Sequence, residues 1–193
     1  MSIKKEFETV NILIESSTTT GRTDAFIISW VKLEKQVRKI FSYLIYQFPC
    51  FSSSDVSNIV KVFSSKRYLY FYSFIQGFNE IYSTSFENII GEEYQFYKRQ
   101  HNRMNNYRNK ILHGQLTAQY LTSNQLRKEV QIIYNWCDLV ATKFQNEIGF
   151  DGFLRNSFRK AKDLENILAN YKINLKNLDI LDAFIEQNMR LSQ

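Results

Sequence analysis

The chain has 193 residues, 44% of them hydrophobic and 16% aromatic, with six glycines and a single proline. That balance excludes a disordered or loop-rich chain and supplies apolar mass for one domain built of long regular elements. A net charge of +6 suits a polyanionic partner and suits plain solubility equally. Cys50 and Cys137 lie too far apart in sequence for a metal or redox motif, as expected of two buried, reduced thiols in a cytoplasmic protein.

Met1 to Glu6 leads into a segment that carries acids, so no secretory leader is expected. Residues 4–16 predict a short helix through Phe7, Val10, Ile12, Leu13 and Ile14. Ser16 to Thr23 is a polar loop, and Thr23 is the expected cap of a long helix to about Phe48 that Pro49 ends. The polar face of that helix carries Lys32, Glu34, Lys35, Arg38 and Lys39, either solvated i,i+4 partners or a phosphate-facing row. Ser52 to Asp55 marks the start of a short helix through Phe63. A helix over Lys66–Tyr82 is apolar nearly all round. Such a helix is buried on several sides or sits at an oligomer interface, and an aromatic surface for stacking RNA bases is a further reading. Its greasiest run, Tyr68 to Phe78, falls far short of the ~20 residues of a membrane span.

The central helix is expected from Glu92 to His113. Its apolar stripe is Tyr94, Phe96, Tyr97, Gln100, Met104, Tyr107, Ile111 and Leu112. Its other side is basic, with Lys98, Arg99, His101, Arg103, Arg108 and Lys110, and His101 is expected at the surface. Thr122, with Gln125 three residues on, has the capping-box pattern and opens a helix to Ile148 that Gly149 terminates. Asp151-Gly152 supplies a turn, a helix follows from Phe158 to about Asn170, and a last one starts at Asn177 or Asp179. Arg155, Arg159, Lys160 and Lys162 form a basic cluster from which Arg155 is a candidate to reach a phosphate. No segment alternates with period two between hairpin turns. The expected architecture is all-α, a bundle of long antiparallel helices with shorter flanking helices. Residues 1–149 would form the helical domain, and 150–193 a helical extension packed on it.

There is no Gly-rich phosphate loop, no Cys or His pair with metal spacing and no G-x-S-x-G elbow. Two histidines cannot build a His-rich metal site. Arg108 and His113 are then the best candidates for chemistry, in the stretch Tyr107-Arg108-Asn109-Lys110-Ile111-Leu112-His113-Gly114. A histidine at a helix C-terminus sits near unpaired carbonyls whose partial charge favours the imidazolium. Beside a permanently charged guanidinium it suits phosphate chemistry. The same residues also suit a helix end that binds nothing. On a regular helix Arg108 and His113 lie about 140° apart and Asn109 and His113 about 40° apart. Either the last turn loosens at Gly114, or two copies of the stretch face each other.

The six residues from Arg108 to His113, with Asn109 directly after the arginine, resemble the R-x4-6-H motif of the HEPN superfamily. These are small all-helical domains, many of them metal-independent ribonucleases of toxin–antitoxin and phage-defence systems. Beyond the motif, the resemblance extends over the chain at the level of architecture only. It implies a cytoplasmic endoribonuclease with no metal or other cofactor, no membrane association and an antitoxin protein as candidate partner. It also implies a homodimer whose two motifs line one basic cleft. His113 would move the 2′-hydroxyl or leaving-group proton, Arg108 would hold the phosphate, and Asn109 would orient the imidazole. Arg103, Lys110 and Arg155 are the expected RNA contacts. The alternative is a non-catalytic HEPN-like module that binds RNA or a nucleotide or serves dimerisation. One position departs from the family: some HEPN toxins carry, two residues after the histidine, a tyrosine that a partner nucleotidyltransferase modifies. Gln115 stands there, so that mode of inactivation is not expected.

Overall fold

A computed structural model describes residues 3–114, 121–153 and 156–190. Among these residues there are ten α-helices and no strand, so the fold is all-α. In chain order they are α1 (Ile3–Glu6), α2 (Glu8–Glu15), α3 (Gly21–Gln47), α4 (Val56–Ser65), α5 (Phe71–Ile81), α6 (Phe86–Ile90), α7 (Tyr94–Leu112), α8 (Ser123–Ile148), α9 (Leu164–Ala169) and α10 (Leu178–Asn188). Two compact units divide the chain, Met1–Leu33 with Ile90–Thr142 and Glu34–Ile89 with Lys143–Gln193. No described helix is long and apolar enough to cross a membrane.

In the first unit α7 and α8 run antiparallel, as their side-chain pairs show. Gln125 donates to the Tyr107 hydroxyl at 3.0 Å, Arg103 meets Glu129 at 2.8 Å, and the Tyr97 ring lies 4.9 Å from Trp136. Partner numbers fall along α7 as they rise along α8. The N-terminal helices lie along α8 in the same sense, through Phe7 on Tyr134 and Glu15 on Arg127. The start of α8 is where the capping pattern puts it: Thr122 Oγ1 accepts the Gln125 N–H at 3.2 Å. The Gln125 side chain serves Tyr107 instead of closing the box. α3 begins at Gly21, two residues before the expected Thr23, and Thr20 donates to Asp24 at 2.8 Å across its first turn.

The second unit has an aromatic core. Phe78 packs edge-on to Phe86 and Phe144, and Phe41 lies 5.7 Å from both Phe63 and Phe74. α5 starts at Phe71 and not at Lys66, because the Ser73 hydroxyl accepts the Tyr70 N–H and donates to the Tyr68 carbonyl, folding the segment before it into a turn. Phe71, Phe74, Ile75, Phe78 and Ile81 are buried within this unit. From Phe71 onward the aromatic run is therefore core and its buried rings offer no base-stacking surface, while Tyr70, before the helix, is exposed.

The expected helix from Phe158 to Asn170 shrinks to α9, capped by Asp163, which accepts from the Asn166 N–H. Long-range bonds hold the preceding residues in an irregular strap. Gln47, fully buried, accepts from the Ala161 N–H at 2.8 Å. Lys160 donates to the Tyr46 and Phe48 carbonyls, a cation at the C-terminal end of α3 where the helix dipole favours one. Of the basic cluster around Arg155, Lys160 is thus spent on structure. The strap turns at Gly152, with φ of +82° and the backbone of Gln36 against it. A Cβ there would stand 2.5 Å from Gln36 Cγ and 3.1 Å from its carbonyl oxygen. Gly152→Ala is expected to cost about 2–3 kcal/mol, from the left-handed backbone and from overpacking together. A urea midpoint unchanged by this substitution would show that the strap does not need its glycine.

Candidate functional site at the end of α7

α7 buries Tyr94, His101 and Met104. These positions, with Tyr97 between them, follow helical spacing, and they carry His101 inward. The surface position expected for His101 is wrong: the residue is 6% exposed, with its ring 4.6 Å from that of Trp30. Burial pushes its imidazole down to about 3, because a buried site disfavours the charged form. At neutral pH it is uncharged and shut from solvent.

His113 is exposed at the C-terminal cap of α7. Its N–H donates to the Asn109 carbonyl at 3.0 Å, and the Gly114 N–H donates to Ile111 at 3.1 Å. Gly114 takes the left-handed conformation, φ +64°, that ends a helix most readily. Arg108 is half-buried, and its Nη1 donates to Asn109 Oδ1 at 2.9 Å. Asn109 thus steadies the guanidinium, whereas the expectation was a bond to the imidazole. Among the described residues the His113 side chain makes no hydrogen bond or ion pair. Arg108 and Asn109 are brought together; His113 stands on the same helix end, and its ring makes no hydrogen bond to either.

The expected RNA contacts divide. Lys110 is exposed, with no partner among the described residues. Arg155 lies outside the described residues. Arg103 is committed to Glu129, its Nη2 within 2.8 Å of both carboxylate oxygens. Glu129 was not anticipated. Its side chain is only 3% exposed against 44% for Arg103, and a glutamate next to Leu126 and Val130 on an apolar stripe is the signal that could have revealed it. Arg103→Ala leaves that carboxylate buried without its cation and is expected to cost about 2 kcal/mol, less than a fully buried pair because Arg103 is partly hydrated. Adding Glu129→Gln should return most of the loss. Simple additivity of the two substitutions in urea unfolding would remove the pair from the account.

Among the described residues no group of three or more His, Cys, Asp or Glu side chains is placed to hold a metal ion; of the two thiols expected to be buried, Cys137 is and Cys50, just past Pro49 at the end of α3, is exposed. The chemistry available at the end of α7 is an exposed imidazole, a steadied guanidinium and an exposed ammonium on one helix terminus. Comparison with protein-family models, with curated proteins and with solved structures gives no match.

Proposed function

We propose that this chain is a metal-independent RNA endonuclease of the HEPN type, a toxin or defence effector, with Arg108 and His113 at its site. The observation that carries this reading is the separation of the two histidines. His101 is buried and neutral against Trp30, while His113 is in solvent on the helix end that holds Arg108. His113 takes the proton of a ribose 2′-hydroxyl as that oxygen attacks the adjacent phosphorus, or returns a proton to the 5′-oxygen that leaves. The bond from phosphorus to the 5′-oxygen breaks, giving a 2′,3′-cyclic phosphate and a 5′-hydroxyl. Arg108 binds the phosphate oxygens and stabilises the charge gathered on them in the transition state. Asn109 keeps the guanidinium in place.

One helix sets Arg108 and His113 about 140° apart, so a second copy of the chain brings its own motif to complete the site. The test is induced expression of the wild type beside His113→Ala, with total RNA from each on a gel and the purified proteins assayed in EDTA. RNA fragmentation by the wild type alone, unaffected by EDTA, is expected. Fragmentation by both proteins, or cleavage that EDTA abolishes, overturns the reading. A second reading, a non-catalytic module that binds RNA or a nucleotide, draws on the His113 ring being held by none of the described residues. It predicts equal binding by the two proteins and cutting by neither.

A further inference from the structure

We infer that the outer face of α7 is a track for single-stranded RNA, on which Phe96 stacks a base and Arg99 and Lys110 hold phosphates on the way to His113. The chemistry at its far end rests on the nuclease reading above; the track itself rests on the exposed side chains of one helix. Counted at 100° per residue from Phe96, the residues Arg99, Arg103, Tyr107 and Lys110 all fall within about 60° of it. Tyr94, His101 and Met104 are the buried residues of this helix and point elsewhere around its axis. Arg103 and Tyr107 reach from this face to Glu129 and Gln125 of α8, and Phe96, Arg99 and Lys110 beside them are exposed, over about 25 Å from Phe96 to the end of the helix, a length that spans several nucleotides.

Two properties of this face favour a polynucleotide single strand. Phe96 is 46% exposed although it is a large ring on a well-packed helix, and its neighbour Tyr97 contacts its edge at 5.2 Å. An exposed ring propped by a second ring offers a π-face to an unstacked base, and such stacking tolerates any sequence. Arg99 and Lys110 are exposed, and no described acid pairs with either. Lys128, exposed on α8 next to Glu129 in sequence, has no ion-pair partner among the described residues. Arg103 is neutralised by Glu129 and gives the row stiffness more than charge. A duplex keeps its bases stacked on one another and offers Phe96 nothing but its backbone. The proposed reaction also needs a backbone free to bring the 2′-oxygen in line with the leaving oxygen, which A-form pairing resists.

The test uses the full chain carrying His113→Ala, so that the probe is not cut. The probe is a fluorescein-labelled single-stranded RNA of mixed sequence and about 12 nucleotides, within the range of single-strand site sizes. Its anisotropy is followed across a series of salt concentrations. Phe96→Ala should weaken binding about tenfold with the salt slope unchanged, and Phe96→Trp should restore it. Arg99→Ala and Lys110→Ala should each lower the slope of log affinity against log salt by about 0.7. The track is overturned by the absence of binding, by equal affinity for a blunt duplex of the same sequence, or by an unchanged affinity in Phe96→Ala. Competition by polyglutamate as effective as that by RNA overturns it too, and would point to an acidic protein. If these dependences hold while the wild type cuts no RNA, the track stands and the nuclease reading falls. If the wild type cuts RNA and the variants bind it as tightly as their parent, the outcome is reversed.

Discussion

Lowering the pH from 6.5 to 3 is expected to remove about 4 kcal/mol of folding stability through His101 alone. The folded imidazole titrates at about 3 because it is buried against Trp30, whereas in an unfolded chain it titrates near 6.5. Between those values the unfolded chain binds a proton that the folded chain refuses. Unfolding is then coupled to proton uptake, and stability rises with pH. The contribution is nearly complete a unit above 6.5 and, well below 6.5, falls by about 1.4 kcal/mol for each pH unit. The window from 6.5 to 5 isolates it, at about 2 kcal/mol, because carboxylates titrate lower. Asp55 and Glu186 are both held below the usual carboxylate range by hydrogen bonds, Asp55 from Ser52 and Glu186 from Lys66 and Tyr68. What they contribute is present above that range and fades only at more acid pH. His101→Phe keeps a flat ring against Trp30 and has no proton to gain. Urea unfolding at pH 7, 6 and 5 should show a sloping stability for the wild type and a flat one for the variant. Equal slopes would mean that His101 is protonated in the folded protein and that its burial is less complete than the geometry indicates.

The position of His101 shows how the sequence can be misread. It lies among Lys98, Arg99 and Arg103, and composition alone assigns it to the basic side. Its spacing from Tyr94, Tyr97 and Met104 assigns it to the buried stripe, and periodicity prevails because side chains on one helical face share one environment. Phe96 and Leu112 are the converse: composition counts both in the apolar stripe, and both stand in solvent. Elements closed by local chemistry were legible. Gly114 and Gly149 end α7 and α8 with positive φ, Thr122 caps α8, and Asn177 caps α10 by accepting from the Ile180 N–H. The strap before α9 was not, because Gln47 and Lys160 reach partners more than a hundred residues away in sequence, and no local pattern encodes that. The link between Arg108 and Asn109 was also hidden. Side chains at i and i+1 diverge on a helix, and only the length of the arginine lets it fold sideways onto its neighbour.

That link decides what the site variants should do. Under the nuclease reading, His113→Ala is expected to slow RNA cleavage by about 10²–10⁴-fold, the range for loss of a positioned acid–base group. Arg108→Ala should cost about 10²–10³-fold, comparable to losing a donor to the transition-state charge. Arg108→Lys should recover little, since an ammonium lacks the planar fork that can grip a phosphate and reach Asn109 Oδ1 together. Asn109 is a positioning residue that acts through Arg108, so Asn109→Ala should cost less, about tenfold, the low end for a hydrogen bond to a charged group. The double variants carry the discrimination. If Asn109 works through the guanidinium, Asn109→Ala adds nothing once Arg108 is alanine, and it adds its full factor to His113→Ala. If Asn109 instead orients the imidazole, the pattern inverts: its effect vanishes in the His113→Ala background and persists in Arg108→Ala. Single-turnover cleavage rates of the three single alanine variants and the two double variants on one RNA separate these outcomes. The second would mean that the bond from Arg108 to Asn109 gives way when RNA is bound.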